Sequence, residues 1–253
     1  MSMNCIKEMP CTLKFAYVLI AILFVVNIAC WMGCMGKGGS SNDVAAWVND
    51  NPQAILESVN KFVMKQQEEA QKQQQEQASV NIGKFEKDLK DTKYSGVINA
   101  KGTVEMVEFY DYNCHYCKIA AKNVEELLKT RSDVKVILRA IPILGEPSNY
   151  ATQVGMAIIM SEPTKYPTFH KAIMEGSART KEDVAKAVKS AGLDMSAIEK
   201  VMSKNKAEIE AAINKNLDLA KNIGINGTPA FVINGELIPG AVDAQTLNQK
   251  LSK

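Results

Sequence analysis

Residues 107–118 read VEFYDYNCHYCK and hold two cysteines, Cys114 and Cys117, at the spacing CxxC. Apolar residues before the pair predict a strand over 104–109, and the residues from the first cysteine onward predict a helix over 114–130. The first cysteine then lies at a helix N-terminus, where free backbone N–H groups and the helix dipole stabilise a thiolate. The second lies one turn later, close enough to form a disulfide with the first. The stretch indicates a redox-active cysteine pair between a strand and a helix.

His115 stands between the two cysteines and adds a hydrogen-bond donor and a partial or full positive charge. Thiol pKa values in CxxC motifs fall from about 8.5 to between about 7 and 3.5, which favours the dithiol form by about 2–7 kcal/mol. A stabilised dithiol makes the corresponding disulfide an oxidant. The motif therefore predicts thiol–disulfide exchange.

Two plainer interpretations of the cysteine pair stay open, half of a zinc site and an inert structural disulfide. Structural zinc normally takes four protein ligands. Besides the two cysteines, residues 40–253 offer only His115 and His170 as imidazole ligands. We interpret His170, which lies in a predicted helix, as a structural or exposed residue.

The residues after the cysteine pair continue an alternating α/β pattern. A second strand is predicted over 134–141, and the strand–helix–strand order favours a parallel pair. Asn234-Gly235, the strongest short hairpin signal, separates apolar runs at 230–233 and 236–238. Helices are predicted over 149–161, 165–175, 180–191, 195–203 and 206–223, with a last helix from about residue 244.

Two motifs in this pattern carry a resemblance to a known family. The stretch 107–118 resembles the active-site segment of the DsbA family of thioredoxin-fold periplasmic oxidoreductases. Residues 227–231, Gly-Thr-Pro-Ala-Phe, resemble that family's second landmark, a Thr before a cis proline at the start of a strand. The resemblance covers about residues 95–253 and implies an α/β thioredoxin fold with a helical insertion. With the N-terminal hydrophobic segment and helical arm described below, the organisation is similar to that of dimeric or trimeric DsbA-like proteins with isomerase activity.

The resemblance also implies roles for individual residues. Cys114 would be the nucleophile that forms mixed disulfides, and Cys117 the resolving thiol. Thr228 and Pro229, joined by a cis bond, would abut the sulfurs and present a backbone edge to which a substrate adds as a strand. Glu108, six residues before the first cysteine, would relay the proton of the resolving thiol, with a pKa raised by burial. The alternative for this carboxylate is a solvated strand residue.

The dipeptide between the cysteines, His115-Tyr116, departs from the Pro-His of the best-known oxidases. The choice between oxidase and isomerase therefore stays open. The resemblance implies no organic cofactor and no metal, because the cysteine pair is itself the redox group. It implies cysteine-containing exported proteins as partners, together with a membrane or periplasmic redox partner. The alternative function is a metal-binding or interaction module on a thioredoxin scaffold, and a third possibility makes the arm the main functional part.

The overall composition excludes several classes of protein. The chain has 253 residues, 46% of them hydrophobic and 23% charged, which excludes wholesale disorder. Its 30 Lys and Arg against 28 Asp and Glu give a net charge of +2, so we predict no nucleic-acid partner. Four of the six cysteines lie within the first 34 residues, which excludes a small disulfide-stapled domain.

The N-terminal segment resembles a membrane or export signal. Residues 15–36 contain no charge and are long enough to cross a bilayer core. Lys7 and Lys14 precede the segment, and only Lys37 follows it closely, which favours a cytoplasmic N-terminus and an exported domain. We therefore predict a bacterial periplasmic or cell-envelope location. A retained anchor, a lipoprotein signal ending at Cys30 or Cys34, and an ordinary cleaved signal all fit this segment.

Residues 37–92 are predicted to form a helical arm and linker between the signal or anchor segment, 1–36, and a thioredoxin domain over 93–253. Two amphipathic stretches flank a run of glutamines at 65–77, which is interpreted as a solvated helix or stiff spacer. An amphipathic helix needs an apolar partner. We predict homo-oligomerisation through residues 43–90. The alternatives are packing back on the domain or against a membrane.

Overall fold

The computed structural model describes Phe24 and residues 41–252, which divide into two compact units between Gln67 and Glu68. Apart from Phe24, the predicted signal or anchor segment lies outside the described residues. Within the described part of the chain, no helix combines the length and the apolar character that a membrane crossing requires. The first unit contains helix α1, Ser41–Asp50, and the first half of helix α2, Pro52–Lys84.

The second unit is an α/β domain around one five-stranded sheet. Its further elements are α3 (Glu86–Lys90), β1 (Gly96–Ile98), β2 (Val104–Tyr110), α4 (His115–Thr130), β3 (Val134–Ala140), α5 (Glu146–Ser161), α6 (Tyr166–Glu175), α7 (Lys181–Ser190), α8 (Met195–Lys204), α9 (Lys206–Asn222), β4 (Ala230–Ile233), β5 (Glu236–Pro239) and α10 (Ala244–Leu251). A 3₁₀ turn, Pro163–Lys165, precedes α6. The five helices α5 to α9 stand between β3 and β4 and form the predicted helical insertion.

The sheet has the strand order β1-β3-β2-β4-β5. Strands β2 and β3 are parallel, as the strand–helix–strand pattern predicts, and the other neighbours are antiparallel. Strands β4 and β5 form the predicted hairpin, whose turn residues Asn234 and Gly235 have φ values of 50° and 78°. The predicted fold class, a thioredoxin fold with a helical insertion, is confirmed.

Strand β1 is the one strand that the sequence analysis missed. It has three residues and pairs antiparallel with β3. Three residues are too few to show an alternating pattern. Its first residue, Gly96, lies against the ring of Tyr166, where an added Cβ would come within 1.8 Å of a ring carbon. The helical insertion thus covers this edge strand at a point that only glycine fits.

Side chains alternate along β2, so the two faces of the sheet contribute to two different core clusters. Met106 and Tyr110 face α4 and the helical insertion, in the same core cluster as Cys117. Val107 and Phe109 face the other side and belong to a second cluster. Glu108 shares the face of Met106 and Tyr110 by this alternation, so the carboxyl group lies on the side that carries the cysteines.

The end of the predicted arm packs on the second face of the sheet. Ile82 and Leu89 are almost fully buried there, in one cluster with Phe109 and Ile137. Their spacing gives the end of α2 and α3 an apolar side that matches the apolar face of the sheet. The compact units divide between residues 67 and 68, so the end of the arm, with the buried Ile82 and Leu89, lies in the same unit as the sheet.

Arg139, in β3, fastens the end of α3 to the sheet. Its buried guanidinium donates to the backbone oxygens of Leu89 at 3.0 Å and Asp91 at 2.8 Å, to that of Asp88, and to Asn216 Oδ1 at 2.9 Å. The backbone oxygens at a helix end have no partner within the helix. Burial lowers the pKa of Arg139 to about 10, so the guanidinium is still charged at neutral pH.

Arg139→Met is expected to lower the free energy of unfolding by about 3–5 kcal/mol, because it removes the donor of several buried acceptors at once. Urea unfolding followed by circular dichroism measures the difference. The control is Arg179→Met, at an exposed arginine, which should stay within about 0.5 kcal/mol of the wild type. Equal losses in the two variants would contradict the anchoring role of Arg139.

Candidate active site

The turn between β2 and α4 places the two cysteines. Cys114 is the N-cap residue of α4, with extended backbone angles of φ −73° and ψ 120°. Its N–H donates to the backbone oxygen of Asp111 at 3.1 Å, which closes the turn. Cys117 lies within the first turn of α4. Both thiols are free in this structure. The expected position at a helix N-terminus is therefore the observed one.

The two thiols differ in their surroundings. Cys114 keeps 8% of its surface exposed, whereas Cys117 is completely buried. Burial raises the pKa of the Cys117 thiol well above its ordinary value, and the backbone N–H of Asp111 and the Thr228 side chain oppose that rise. A buried thiolate at Cys117 is thus costly, and the more accessible sulfur belongs to Cys114. This asymmetry is the one that the predicted nucleophile and resolving thiol require.

The loop before β4 completes the site from a distant part of the sequence. The Thr228–Pro229 peptide is cis, as the family resemblance implies. The Cys114 thiol donates to the backbone oxygen of Thr228 at 3.3 Å, across 114 positions of sequence. Pro229 leads directly into β4, which begins at Ala230. The structure thus brings Cys114, Cys117 and the Thr228–Pro229 peptide together.

Glu108 is buried on the cysteine side of the sheet. Its side chain is 1% exposed, and its Oε1 atom has no hydrogen-bond partner among the described residues. Burial raises the pKa of Glu108 to about 8. The carboxyl group lines a cavity of about 490 Å³ together with Ala121 and Val124 of α4. The alternative of a solvated strand residue is therefore excluded, and the raised pKa agrees with the expectation for a proton relay.

His170, of α6, lines the same cavity and is buried rather than exposed. Burial lowers its pKa to about 3, and its Nδ1 atom has no hydrogen-bond partner among the described residues. Its ring packs edge-on against Tyr110, with the ring centroids 4.9 Å apart. The hydroxyl groups of Tyr110, Tyr112 and Tyr166 form a closed triangle of hydrogen bonds 2.5–3.0 Å long. A neutral polar cluster thus lies under the site.

Asp111 is a site residue that the sequence analysis missed. Its buried carboxylate accepts hydrogen bonds from the Asn113 N–H, the Ser148 hydroxyl and the N–H groups of Ile143 and Leu144, at 2.6–3.0 Å. These bonds tie the loop after β3 to the turn that carries Cys114. Only its place at the end of β2, before a helix start, could have marked this Asp as a turn residue. Three of its four partners lie 32 to 37 positions away in sequence.

The surface beside the cysteines is apolar. Tyr116 is 63% exposed and Leu144 is 51% exposed, and Ile119 and Ile143 are also exposed. His115 is exposed at the start of α4, with its ring edge-on to Tyr116 at 5.6 Å. Exposed apolar groups that lie together mark a surface on which other molecules bind. In the part of the chain that the structure describes, no three His, Cys, Asp or Glu side chains are grouped to hold a metal ion.

Comparison with known proteins gives matches over the segment that carries this site. The sequence model of the family described as DSBA-like thioredoxin domain matches residues 105–252, which include both cysteines and the Thr228–Pro229 peptide. Among curated proteins, the thiol:disulfide interchange protein DsbA of Bordetella parapertussis is 25% identical over 145 residues. These residues are 56% of this chain and 68% of that protein.

Solved structures resemble the same part of the chain. The thiol-disulfide exchange protein alpha-DsbA2 from Wolbachia pipientis is 28% identical, with a TM-score of 0.65 over 69% of this chain and 94% of that one. A periplasmic thioredoxin-like protein from Salmonella enterica serovar Typhimurium is 33% identical, with a TM-score of 0.55 over 65% of this chain and 94% of that one. Sequence and structure comparisons therefore both find thiol–disulfide exchange or thioredoxin-like proteins.

Proposed function

Since this chain belongs to the DsbA-like thioredoxin domain family and is a thiol–disulfide oxidoreductase, we propose that it exchanges disulfides with the cysteines of other exported proteins. The observation that carries the proposal is the placement of two unlike thiols against one loop. Cys114, at a helix N-terminus, is the more exposed of the two thiols and contacts the backbone of Thr228, and Cys117 is completely buried within the first turn of the helix. The pair itself is the redox group, and no organic cofactor is needed.

Oxidation of a substrate takes two exchanges. A substrate thiolate attacks the Cys114 sulfur of the Cys114–Cys117 disulfide, a mixed disulfide forms, and Cys117 leaves as a thiolate that takes up a proton. A second substrate thiolate then attacks the substrate sulfur of the mixed disulfide, and Cys114 leaves. The substrate loses two electrons and two protons, and the enzyme gains them. Isomerisation begins in the other direction, with attack of the Cys114 thiolate on a wrong substrate disulfide.

Glu108 supplies the proton that Cys117 takes up in this proposal. The pKa of Glu108 is raised to about 8, so the carboxyl group still holds its proton at neutral pH. The pKa of Cys117 is raised further by burial, so a proton on the sulfur is favoured over a buried thiolate. In this proposal the carboxyl group regains its proton from water that enters the cavity lined by Glu108.

Unfolded or partly folded exported polypeptides are the substrates that we propose. The exposed apolar side chains of Tyr116, Ile143 and Leu144 next to the cysteines support contact with apolar segments that a folded protein would hide. Residues 15–36 support export to a bacterial periplasm or cell envelope, with the segment kept as an anchor or lipidated, or otherwise cleaved. A membrane or periplasmic redox partner would restore the resting state of the cysteine pair.

We also propose homo-oligomerisation through residues 43–90. The described part of α1 and α2 leaves large apolar side chains open to solvent, among them Trp47 at 53%, Leu56 at 57% and Phe62 at 64% exposure. Leu56, Val59 and Val63, spaced three and four residues apart, form one exposed apolar stripe along α2, and Phe62 lies beside it. Burial of such a stripe against other copies would stabilise an assembly by about 25 cal/mol per Å² of apolar surface. Several cysteine pairs would then act on one substrate, which suits isomerisation.

Refolding of a scrambled multi-disulfide protein tests the proposed function. The comparison uses a chain that starts at residue 41 and one that starts at residue 68, which keeps the packed end of the arm. We expect the longer chain to be an oligomer by light scattering and to isomerise at least about tenfold faster, because linked sites raise the effective concentration. Leu56→Glu with Phe62→Glu in the longer chain should have the effect of the truncation.

The outcomes separate the parts of this proposal. If both chains had the same number of subunits and isomerised the substrate at the same rate, this result would contradict the arm as an oligomerisation element. Oxidation of a reduced protein without isomerisation by either chain would make the protein an oxidase. Failure of both chains in oxidation and in isomerisation would favour the interaction or metal-binding module.

A further inference from the structure

A groove of about 760 Å³ lies beside the Thr228–Pro229 peptide, within the second unit. One wall is the glutamine-rich part of α2, and the other is the loop that leads into β4 together with β5. The residues of the helical wall are Gln71, Gln74, Gln75, Gln77, Ala78 and Asn81. The floor includes the apolar side chains of Ile225, Leu237 and Pro239. We call this feature the glutamine groove.

The glutamine groove is free of charge. None of the described residues that line it is Asp, Glu, Lys or Arg. The neighbouring charged residues of the same helix, Lys72 and Glu76, are outside the lining. The glutamine run is therefore divided into a charge-free side that faces the groove and a charged side that does not. A spacer that only needs solvent would have no reason to separate its residues in this way.

Some of the amides hold the helical wall in place, and others are available for a ligand. Gln75 Nε2 donates to the backbone oxygen of Leu237 at 3.1 Å, and Asn81 Nδ2 donates to that of Asn222 at 2.9 Å. The side-chain amides of Gln71 and Gln74 make no hydrogen bond to another described residue, and both residues are exposed. Each of these two amides offers both a donor and an acceptor at the groove.

We propose that the glutamine groove binds an extended, uncharged segment of the substrate polypeptide while a neighbouring cysteine of that substrate reacts with Cys114. The inference rests on the proposed function. The groove is continuous with the reacting atoms, because Thr228 lines it and its backbone oxygen contacts the Cys114 thiol. Primary amides match the N–H and C=O groups of any main chain, whatever its sequence. The apolar floor receives uncharged side chains, and the missing charges disfavour ionic ones.

A polypeptide substrate fits this groove better than a second copy of the chain does. Most of the large exposed apolar side chains that would join copies, such as Leu56 and Phe62, belong to the first unit, and Val80 is the one in the glutamine-rich half of α2. Amides that hydrogen-bond a passing main chain give weak and general binding, which an enzyme acting on many proteins requires. The glutamine groove would thus raise affinity for unfolded chains without choosing among their sequences.

Steady-state kinetics on two substrates, with an excess of a small-molecule disulfide that re-oxidises the cysteine pair, tests the inference. Gln71→Ala with Gln74→Ala removes the two available amides, and Gln73→Ala, on the same helix but outside the lining, is the matched control. For a reduced unfolded protein we expect the double variant to raise KM about tenfold, the effect of losing about two hydrogen bonds. For dithiothreitol, too small to reach the groove from Cys114, kcat and KM should stay unchanged. The control should match the wild type on both substrates.

Several outcomes would overturn the inference. One is that the double variant has the wild-type KM for the unfolded protein. A second is that Gln73→Ala raises this KM as much as the double variant does. Another is a change of oligomer mass in the double variant, which would show that a second copy occupies the groove. Gln74→Trp, which would narrow the groove, should raise the same KM, and an unchanged KM would also contradict the inference. Failure of the proposed function is distinct, because the wild type would then oxidise neither substrate.

Discussion

Cys114→Ser is expected to slow disulfide exchange with a protein substrate by about 10³-fold or more. Only a thiolate attacks a disulfide at a useful rate, and a serine hydroxyl does not ionise near neutral pH. Cys114 is the more accessible sulfur of the pair, and the buried Cys117 is poorly placed to replace it. The measurement is the rate at which a reduced protein substrate is oxidised, with folding of the variant checked by circular dichroism.

The other cysteines of the chain provide the matched control. Cys5, Cys11, Cys30 and Cys34 precede the described domain, and a chain starting at residue 41 lacks all four. That chain should keep the exchange rate of the full protein in solution. If Cys114→Ser retained the wild-type rate, or if loss of the four N-terminal cysteines abolished exchange, the redox group would lie elsewhere.

Two buried groups, Glu108 and His170, have opposite pKa shifts, and we expect them to make the protein most stable within a limited pH range. The pKa of Glu108 is raised by burial from 4.5 to about 8, so between these values only the unfolded chain has lost that proton. The free energy of unfolding then falls by about 1.4 kcal/mol per pH unit. The pKa of His170 is lowered by burial from 6.5 to about 3, so between these values only the unfolded chain has gained a proton. There the free energy of unfolding rises by the same amount per unit.

The two slopes cancel where they overlap, between pH 4.5 and pH 6.5. The free energy of unfolding is therefore constant across that range as far as these two groups are concerned. It decreases at lower pH because of His170, and it decreases at higher pH because of Glu108. The neighbouring Tyr110, Tyr112 and Tyr166 have raised pKa values and stay neutral throughout. Over its whole pH range, each of the two groups changes the free energy of unfolding by about 5 kcal/mol. This is a large share of the stability of a typical domain.

Urea unfolding of the wild type, Glu108→Gln and His170→Phe between pH 3 and pH 8 measures both slopes. Relative to the wild type, Glu108→Gln should gain stability as the pH rises from 4.5 to 8, and His170→Phe should gain stability as the pH falls from 6.5 to 3. Parallel curves for a variant and the wild type would contradict the buried, shifted state of that residue.

Local sequence was enough to predict the elements around the cysteines. The apolar alternation before Cys114 gave strand β2, and the pair Asn234-Gly235 gave the β4–β5 hairpin, because both signals involve residues close together in the chain. The family resemblance singled out Glu108, six residues before Cys114 on the strand that leads to the helix. The family resemblance supplied the rest of the site, including Thr228 and Pro229.

Contacts between distant residues were the part that no local pattern indicated. In the sequence, Arg139 is a charged residue within an apolar strand. Only the structure shows that it donates hydrogen bonds to backbone oxygens at the end of α3. Asp111 reads as a turn residue, and its partners Ile143 and Leu144 come from a loop after the next strand. The sequence indicates a solvated spacer for the glutamine run, because it does not distinguish a glutamine that lines a groove from a glutamine that faces only water.

Trapping of a mixed disulfide tests the central claim, that Cys114 and Cys117 act as nucleophile and resolving thiol on protein substrates. Reduced Cys117→Ser protein is mixed with a scrambled multi-disulfide protein, and the products are mapped by mass spectrometry. The account predicts a stable covalent adduct through Cys114, because the thiol that would release it is gone, and no such adduct with Cys114→Ser. Absence of the adduct, or its attachment through another cysteine, would contradict the account.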